Sequence, residues 1–598
     1  MRSPCAYRYA LKRPLRPLAF SRDASRRFLH DSSGGYSAAV IGGGITGLVA
    51  AHRLAKDPEC SRVTLYEKSS RLGGWIQSEK IRVDGGDIVF EHGPRTLRLA
   101  PPASYALLDL VADLKLEDQM LLTPKSSPAT QNRYIYYPDH LVRIPTPQKG
   151  VDPINQITTV LSTVLQEPLF KTVLWSLITE AWKPNLRNPP RDESVYAYLS
   201  RRFSPELADN LVSSVYHGIF AGDIDQLSAQ TLLGQLRRTE FQGGSIMSTI
   251  FESMTSGTRR YILEDLLAME AIAGARSTES QKNYIKLLGR DSSTLTFKKG
   301  VRQLVDALIE ALNRSGKVRI LTNVDISRIV QDPKSHDLTI HCEDGKSHIH
   351  NRLIATISPK VLSEKLQDQA SSENPWPSRL SLACQKHNYA TTTMVVNLYY
   401  PNPNLLPVKG FGYLIPRSIP FIQNPEQALG VIFASESSIG QDTAPGTKLT
   451  VMLGGYYWDG WDESNYPSPA KAIEMAQSLL ERHLGITDPP TVTRARLQRN
   501  AIPQPIVGHQ DNLNDISNEI REKFNNRITL AGAWYSYRGT GVVDCIRQAY
   551  LAANYYVKGK RPEKLPNLYQ ALDFEGGITG SPPRVLTSTP EVLTRNYF

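Results

Sequence analysis

The chain has 598 residues, of which 40% are hydrophobic and 21% are charged, and its formal net charge is +11. This length exceeds what one hydrophobic core organises, so we expect two or three domains and exclude a single small module. The sequence contains no run of 18 or more apolar residues, which argues against a transmembrane helix and favours peripheral or monotopic membrane contact, if any.

The positive charge is concentrated at the amino end. Residues 1–30 contain seven arginines, one lysine and a single acidic residue, Asp23, so they carry +7 and the rest of the chain only +4. The remainder is too weakly basic to indicate a nucleic acid partner. An arginine-rich, acid-poor leader is typical of a mitochondrial transit peptide, which we expect at 1–35; a disordered basic tail is the alternative.

Cysteine and histidine spacing indicates no metal chemistry. The five cysteines lie far apart with no CxxC pair, and the twelve histidines include no HExxH motif. The sequence therefore predicts neither a disulfide framework nor a metal site.

A glycine-rich turn follows the first predicted strand. The pattern predicts a strand over 37–41 and a helix over 45–54, with Gly42, Gly43, Gly44, Ile45, Thr46 and Gly47 at their junction. The first glycine of such a motif permits the turn, the second admits a pyrophosphate, and the third lets the helix pack on the strand. The helix N-terminus offers free N–H groups to the phosphates, so a dinucleotide site is predicted.

An acidic residue and a second glycine turn extend this motif. A second strand is predicted over 63–66, and Glu67 follows it, 20 residues after Gly47, where a carboxylate accepts from ribose hydroxyls. Residues 67–74 have the pattern ExxxRxGG, which resembles the two-dinucleotide-binding-domain flavoproteins. That resemblance implies FAD rather than NAD, with Lys68, Arg71, Gly74 and Trp75 in the site.

Two further stretches are expected at the flavin. In FEHGPRT (90–96), Gly93 and Pro94 would press against the isoalloxazine ring beside Arg95 and Thr96, and we interpret His92 as structural. Near the carboxyl end, a strand over 528–533 and a helix over 545–556 flank a second glycine-rich connection. Its residues would close the site, although an ordinary strand-to-helix connection is the alternative; they are Gly532, Ala533, Thr540, Gly541, Val542, Val543 and Asp544.

A middle segment resembles the corresponding part of the same flavoproteins. It contains a predicted helix over 304–312 and predicted strands over 318–321, 337–342 and 353–356. By this resemblance, the backbone at Val324 contacts the adenine.

Longer strings resemble the protoporphyrinogen oxidase family between about residues 38 and 560. They are RLGGWIQS, FEHGPRTLR, ATQNRYIYY, GIFAGDIDQLS, GFGYLIP, LTVMLGGYYW, AIPQPIVGH and LAGAWYSYRGTGVVDC. The resemblance implies oxidation of protoporphyrinogen IX to protoporphyrin IX by three rounds of hydride transfer to FAD, with O₂ as acceptor and H₂O₂ as product. An amine oxidase, a desaturase or a flavin-binding escort protein are the alternatives.

The same resemblance assigns substrate contacts. Arg133 would pair with a propionate, Phe411 and Leu414 would flank the macrocycle, and the backbone at Gly222 would lie near the pyrroles. Met452 and Ile502 would line the pocket. For Phe411 and Leu414 the alternative is ordinary core packing, and for Arg133 an exposed salt bridge.

Residues 154–182 are rich in apolar side chains but are interrupted by Pro168. The resulting helices are too short to span a bilayer, and Trp175 and Trp182 suit a headgroup region. The segment predicts either monotopic membrane docking or a buried helical subdomain.

The predicted fold class is α/β, with a discontinuous Rossmann-like FAD-binding domain in 36–145, 294–360 and 501–565. An α+β substrate-binding domain is expected in 361–500 and a mostly helical membrane-docking and substrate domain in 146–293. Residues 240–290 would form an insertion with a charged helix over 259–275, and 566–598 a flexible tail. The family resemblance further implies the mitochondrial inner membrane, a homodimer and contact with ferrochelatase.

Overall fold

The structure is a computed structural model. It describes residues 35–100, 103–145, 162–184, 189–243, 245–247, 259–262, 268, 272, 291–366, 378–537, 539–554, 556–558, 573–575 and 585–588. The predicted transit peptide, apart from Gly35, and most of the predicted insertion lie outside these residues.

The strands and helices follow one another along the chain as listed here. The strands are β1 (Tyr36–Ile41), β2 (Cys60–Tyr66), β3 (Ser78–Val83), β4 (Gly86–Glu91), β5 (Leu97–Arg98), β6 (Met120–Pro124), β7 (Tyr134–Tyr136), β8 (Leu141–Arg143), β9 (Arg259–Ile262), β10 (Ser292–Phe297), β11 (Val318–Leu321), β12 (Ile326–Gln331), β13 (Leu338–Cys342), β14 (Ser347–His350), β15 (Arg352–Ala355), β16 (Ala390–Tyr400), β17 (Gly412–Leu414), β18 (Ala428–Phe433), β19 (Thr447–Gly454), β20 (Val492–Pro503), β21 (Ile528–Leu530), β22 (Asp573–Glu575) and β23 (Val585–Ser588). The α-helices are α1 (Ile45–Lys56), α2 (Tyr105–Asp113), α3 (Pro128–Gln131), α4 (Val173–Thr179), α5 (Val195–Arg202), α6 (Ser213–Phe220), α7 (Ala229–Leu232), α8 (Gly234–Gly243), α9 (Arg302–Arg314), α10 (Pro359–Leu366), α11 (Arg379–Lys386), α12 (Ala434–Ser437), α13 (Pro469–Leu484), α14 (His509–Lys523) and α15 (Val542–Asn554).

A five-stranded sheet collects strands from three distant parts of the chain. Its order is β11-β2-β1-β15-β21, and all neighbouring strands are parallel. Ala38 and Val40 of β1 lie in the core beneath α1, α9 and α15, whereas Ala39 and Ile41 lie in the core beneath α10, α11 and α14. Because both faces are covered, β1 is apolar almost throughout.

The second large sheet has seven strands, in the order β20-β16-β19-β18-β17-β7-β8. Helix α13 packs on one face. It begins at Ser468, whose Oγ accepts the backbone N–H of Lys471, and ends at Gly485, which has a φ of +69°. The amphipathic helix therefore starts and stops where its local sequence dictates.

The sheets differ from the predicted domain boundaries at two places. Strands β7 and β8 lie within 36–145, yet β7 pairs in parallel with β17 of the seven-stranded sheet. Conversely, α10 and α11 lie largely within 361–500 but pack on the five-stranded sheet. Elements as short as these contain no local pattern that identifies their partner. Contacts between residues far apart in the chain therefore decide which sheet they join.

A small antiparallel sheet also differs from expectation. Its order is β22-β23-β9, so residues 259–262 form a strand instead of the start of a charged helix. The other two strands come from the segment expected to be a flexible tail. Residues 259–262 find a β partner some 320 positions along the chain, which no local pattern reveals.

A helical region contains α4 to α8 and a π-helical turn over Leu207–Val212. Leu169 and Phe170 are buried against Ile135 and Val142 of the neighbouring hairpin. In the part of the chain that the structure describes, no helix is long and apolar enough to cross a membrane.

Candidate active site

The turn between β1 and α1 leaves an open space at the helix N-terminus. A Cβ atom on Gly47 would lie 1.9 Å from the carbonyl oxygen of Gly42, so α1 approaches β1 only with glycine at this position. Around Gly44, by contrast, no atom of the described residues other than Gly44 and its two chain neighbours lies within 4 Å of the Cβ position. Residues Ile45 and Thr46 begin the helix directly after this space.

Glu67 lies at the carboxyl end of β2, beside the same turn. Its Oε2 accepts the backbone N–H of Gly43 at 2.7 Å, and its Oε1 accepts the backbone N–H of Ser69 at 2.9 Å. The backbone N–H of Val324 donates to the Glu67 carbonyl oxygen at 3.1 Å. The structure thus brings the predicted ribose acid and the predicted adenine contact together.

The second glycine turn lies against the first. The backbone N–H of Gly73 donates to the carbonyl oxygen of Gly43 at 2.8 Å, and a Cβ atom on Gly74 would lie 3.2 Å from Gly44 Cα. Arg71 Nη1 donates to the Ile76 carbonyl oxygen at 3.1 Å, which holds the turn closed. Lys68 and Trp75 are exposed beside it.

The hairpin β3–β4 leads into the FEHGPRT stretch. A Cβ atom on Gly93 would lie 2.1 Å from the Trp75 carbonyl oxygen, so Gly93, followed by Pro94, packs directly on the second glycine turn. Arg95 is 8% exposed, and its Nη1 is buried without a hydrogen bond partner among the described residues. Burial lowers the pKa of Arg95 to about 10, opposed by the nearby charge of Glu91. Thr96 completes the connection to β5.

His92 has the structural surroundings expected of it. Its Nε2 lies 2.9 Å from Glu79 Oε2, and its carbonyl oxygen accepts from Gln498 Nε2 at 2.6 Å. Burial lowers the pKa of His92, with the Glu79 contact opposing. Within the described ranges, no group of three or more His, Cys, Asp or Glu residues is arranged to hold a metal ion.

The carboxyl-terminal segment returns to the first glycine turn. A Cβ atom on Gly532 would lie 3.2 Å from Thr46 Oγ1, so this segment touches the start of α1, and Ala533 follows. The connection over 540–544 ends in the first turn of α15, where Asp544 accepts from Arg547 Nη2 at 2.9 Å. Within that connection lie Thr540, Gly541, Val542 and Val543, and α15 packs beside α1 in one core.

One face of the seven-stranded sheet carries three of the six predicted substrate residues, Leu414, Met452 and Ile502. Gly430 pairs with Leu414 on one side and Met452 on the other, which places these two side chains on the same face. Val395 pairs with Met452 and Arg496, and Thr391 pairs with Ile502 further along the same sheet. Tyr413, Val431 and Val451 point to the opposite face, into the core beneath α13.

This face is turned toward the hairpin formed by β3 and β4 (Ser78–Glu91), which we call the flavin hairpin. Gln498 of β20 donates to the His92 carbonyl oxygen, and Arg496 of the same strand contacts Gln77. The sheet face with the predicted macrocycle contacts is therefore held beside the hairpin that precedes Gly93.

Arg133 and Phe411 lie next to each other at the edge of this sheet. The backbone N–H of Phe411 donates to the Asn132 carbonyl oxygen at 3.0 Å. The Arg133 side chain is exposed, and it makes no ion pair within the described residues. The exposed salt bridge considered for Arg133 is therefore not formed there.

Known proteins resemble this chain over nearly its whole length. Residues 45–555 match the family model described as flavin containing amine oxidoreductase. The protoporphyrinogen oxidase of Schizosaccharomyces pombe is 33% identical over 523 residues, which cover 86% of this chain and 98% of that protein. The chain belongs to the protoporphyrinogen oxidase family.

A second relative and two solved structures are also similar to this chain. The protoporphyrinogen oxidase of Homo sapiens is 30% identical over 522 residues, covering 87% of this chain and 98% of that protein. A solved protein of Exiguobacterium sp. 255-15, provisionally named protoporphyrinogen oxidase, is 22% identical with a TM-score of 0.62, covering 87% and 98% of the two chains. Cyclohexylamine oxidase from Brevibacterium oxydans IH-35A, at 15% identity and a TM-score of 0.55 over 88% and 99%, shares the fold alone.

Membership of the protoporphyrinogen oxidase family makes this protein an FAD-dependent oxidoreductase with a mixed α/β fold. Its residues fit the cofactor. The space at Gly44 suits a pyrophosphate, and the buried Arg95 Nη1 has no acceptor among the described residues, so an oxygen atom of bound FAD would satisfy it.

Helix α6 contains site residues that the sequence reasoning missed. A Cβ atom on Gly218 would lie 2.6 Å from Leu414 Cδ2, whereas one on Gly222 would lie 2.1 Å from Gln504 Oε1. Gly218 is thus the glycine beside Leu414, and Gly222 packs against Gln504. Val215 and Ile219, four positions apart, are 36% and 56% exposed, and this apolar i, i+4 spacing was the available signal.

Proposed function

We propose that this protein oxidises protoporphyrinogen IX to protoporphyrin IX. Family membership supports the substrate, and one observation of the structure carries the proposal. The sheet face that bears Leu414 and Met452 is joined to the flavin hairpin by the Gln498–His92 hydrogen bond of 2.6 Å. A macrocycle lying on that face lies next to the residues that bind the flavin.

The chain's residues contribute binding and orientation. Bound FAD supplies a two-electron acceptor, and three rounds remove the six hydrogens, with three O₂ reduced to three H₂O₂. Leu414, Met452 and Ile502 offer an apolar surface to the ring system, and Arg133 offers a guanidinium to a carboxylate. Holding a bridge carbon in place and excluding water is the main contribution required of the protein. The proposal names no general base.

Anaerobic mixing tests the reaction directly. The yellow holoenzyme is expected to lose its flavin absorbance on mixing with protoporphyrinogen IX. Admission of air should then restore the absorbance and produce porphyrin fluorescence above the uncatalysed rate. Turnover of benzylamine or a polyamine without porphyrin formation would support an amine oxidase instead, and a flavin that no substrate reduces would support an escort protein.

Replacement of Arg133 tests the propionate contact. Arg133→Ala is expected to raise KM by about tenfold to a hundredfold, because a charge-assisted contact contributes about 1–3 kcal/mol. Steady-state kinetics with protoporphyrinogen IX measure the change. Arg314→Ala is the control, since Arg314 is 71% exposed and pairs with Glu310 at 3.3 Å on α9. Unchanged kinetics in Arg133→Ala would remove the propionate assignment.

We also propose that the helical region docks on the mitochondrial inner membrane. Leu165, Trp175, Ile178 and Trp182 are 70%, 69%, 54% and 76% exposed, so the region is buried on one side and apolar on the other. Trp175 and Ile178 share one face of α4. Exposed apolar side chains that include two tryptophans suit the interface of a bilayer, from which an apolar substrate can enter. The transit peptide at 1–35, a homodimer and contact with ferrochelatase belong to the same proposal.

A charge placed on this surface should weaken membrane binding. Trp175→Glu is expected to reduce partitioning onto phosphatidylcholine vesicles by about tenfold, because an apolar anchor is replaced by a charge. Flotation of the holoenzyme with vesicles measures this. Ile349→Glu, at a 60% exposed position on β14, should leave partitioning unchanged. Equal effects of both variants would contradict docking through α4.

A further inference from the structure

A second arginine lies near Arg133. Arg98 is the last residue of β5 and is exposed. In the described part of the chain, neither Arg98 nor Arg133 has an acidic side chain within 4.0 Å. Two cationic side chains thus lack the anions that arginines elsewhere in the protein have, such as Asp209 for Arg417 at 2.6 Å.

The register of the sheet β5-β10-β6 places Arg98 on the face of that sheet that is turned away from the core. Arg98 pairs with Thr294, which pairs with Thr123, so these three side chains share one face. The alternate residues, Leu97 and Leu295, are 2% and 0% exposed and lie in the core on the opposite face.

That face meets the substrate sheet near Phe411. Thr123 Oγ1 donates to the carbonyl oxygen of Ser437, the last residue of α12, at 3.4 Å. Helix α12 directly follows Phe433, whose backbone N–H donates to the Phe411 carbonyl oxygen at 3.0 Å. Arg98 therefore lies on the same side of its sheet as the residue expected to flank the macrocycle.

The two guanidinium groups interact with each other. Partial desolvation lowers the pKa of the exposed Arg133 side chain, and the positive charge of Arg98 lowers that pKa further. Like charges held together without an anion are unfavourable, and an anion bound between them relieves the repulsion. The site therefore favours a ligand that brings negative charge to both.

We propose that Arg98 and Arg133 each bind one of the two propionate carboxylates of the same tetrapyrrole, Arg98 being the receptor for the second. This inference rests on the proposed function. The two propionates of protoporphyrinogen IX lie on adjacent pyrrole rings, so their receptors must be neighbours. A planar guanidinium stays charged at any working pH and binds a carboxylate with two hydrogen bonds. The pair would make the enzyme selective for a dicarboxylate.

Comparison of a diacid with its ester isolates this contact. The holoenzyme is titrated with protoporphyrin IX and with protoporphyrin IX dimethyl ester in the same detergent, followed by porphyrin absorbance. Arg98→Gln is expected to weaken binding of the diacid by about tenfold and to leave binding of the ester unchanged. KM for protoporphyrinogen IX should rise similarly while kcat stays near its wild-type value. Arg98→Lys, which keeps the charge, should recover part of the affinity.

Controls separate this contact from structural damage. Arg314→Gln removes a 71% exposed guanidinium on α9 and should leave both titrations unchanged. If Arg98→Gln weakens diacid and ester equally, or weakens neither, the assignment of Arg98 is overturned while the proposed function stands. If the wild-type holoenzyme does not oxidise protoporphyrinogen IX at all, the proposed function itself fails.

Discussion

The Gly44→Val protein is expected to fold like the wild type but to be purified without FAD. Among the described residues, no atom beyond Gly44 and its two chain neighbours lies within 4 Å of a Cβ atom on Gly44, so a valine can be accommodated there. The same space is where the pyrophosphate must approach the backbone, and a side chain there excludes it. We expect FAD affinity to fall at least about a hundredfold, which corresponds to about 3 kcal/mol. Flavin absorbance after purification, and fluorescence titration of the apoprotein with FAD, measure the loss.

Two other glycines provide the comparison. At Gly47 a Cβ atom would lie 1.9 Å from the Gly42 carbonyl oxygen, so Gly47→Val should damage the fold as well as FAD binding. Gly234 has no atom within 4 Å of its Cβ position and lies outside the predicted nucleotide site, so Gly234→Val should keep its flavin. Circular dichroism separates loss of fold from loss of cofactor. A yellow Gly44→Val protein with wild-type affinity would contradict binding of the pyrophosphate at this turn.

Glu180→Ala is expected to destabilise the helical region by about 3–5 kcal/mol, because it removes the nearer of the two carboxylates that pair with the buried Arg202 and leaves only Glu240, at 3.8 Å. Glu180 and Arg202 are 0% and 1% exposed and form an ion pair. The same carboxylate accepts the backbone N–H groups of Ile246 and Met247 at 3.0 and 3.1 Å, so it also ties the 245–247 segment to this region. Urea unfolding followed by tryptophan fluorescence, to which Trp175 and Trp182 contribute, measures the loss.

An exposed ion pair serves as the matched control for Glu180. Glu310 and Arg314 are 67% and 71% exposed at 3.3 Å, and Glu310→Ala should change stability by about 0–1 kcal/mol. Replacing both buried partners, as Glu180→Leu with Arg202→Met, should restore much of the stability, since neither charge is then left buried. If Glu180→Ala unfolds no earlier than Glu310→Ala, the buried pair does not stabilise this region.

Local motifs were the most informative part of the sequence. The predicted strand–turn–helix over 37–54 appears as β1 and α1, and the predicted helix over 304–312 appears as α9. Helix α9 buries Leu304, Leu308 and Leu312 at intervals of four residues, so its periodicity alone indicates both its structure and its inner face. In these elements the information is contained within a dozen neighbouring residues.

Elements with remote partners were not predictable in this way. Nothing within Tyr134–Tyr136 indicates that it pairs with β17, and nothing within Arg259–Ile262 indicates that it pairs with β23. The same holds in the site, where the motif around 218–222 suggested Gly222 but the fold brings Gly218 to Leu414. The register of a strand depends on the strand with which it pairs, and the face that a helix buries depends on the element against which it packs.

The amino-acid sequence by itself determined the strand–turn–helix of β1 and α1 with Glu67 beside it, because glycine spacing and the following carboxylate act over a few adjacent residues. Longer strings between about residues 38 and 560 indicated the family. Only the tertiary structure decided which face of the seven-stranded sheet is turned toward the flavin hairpin and that Arg98 lies on the face of its sheet opposite the core. These arrangements arise from pairing between strands that are far apart in the chain. Such pairing lowers the free energy of the protein only when the whole core is packed.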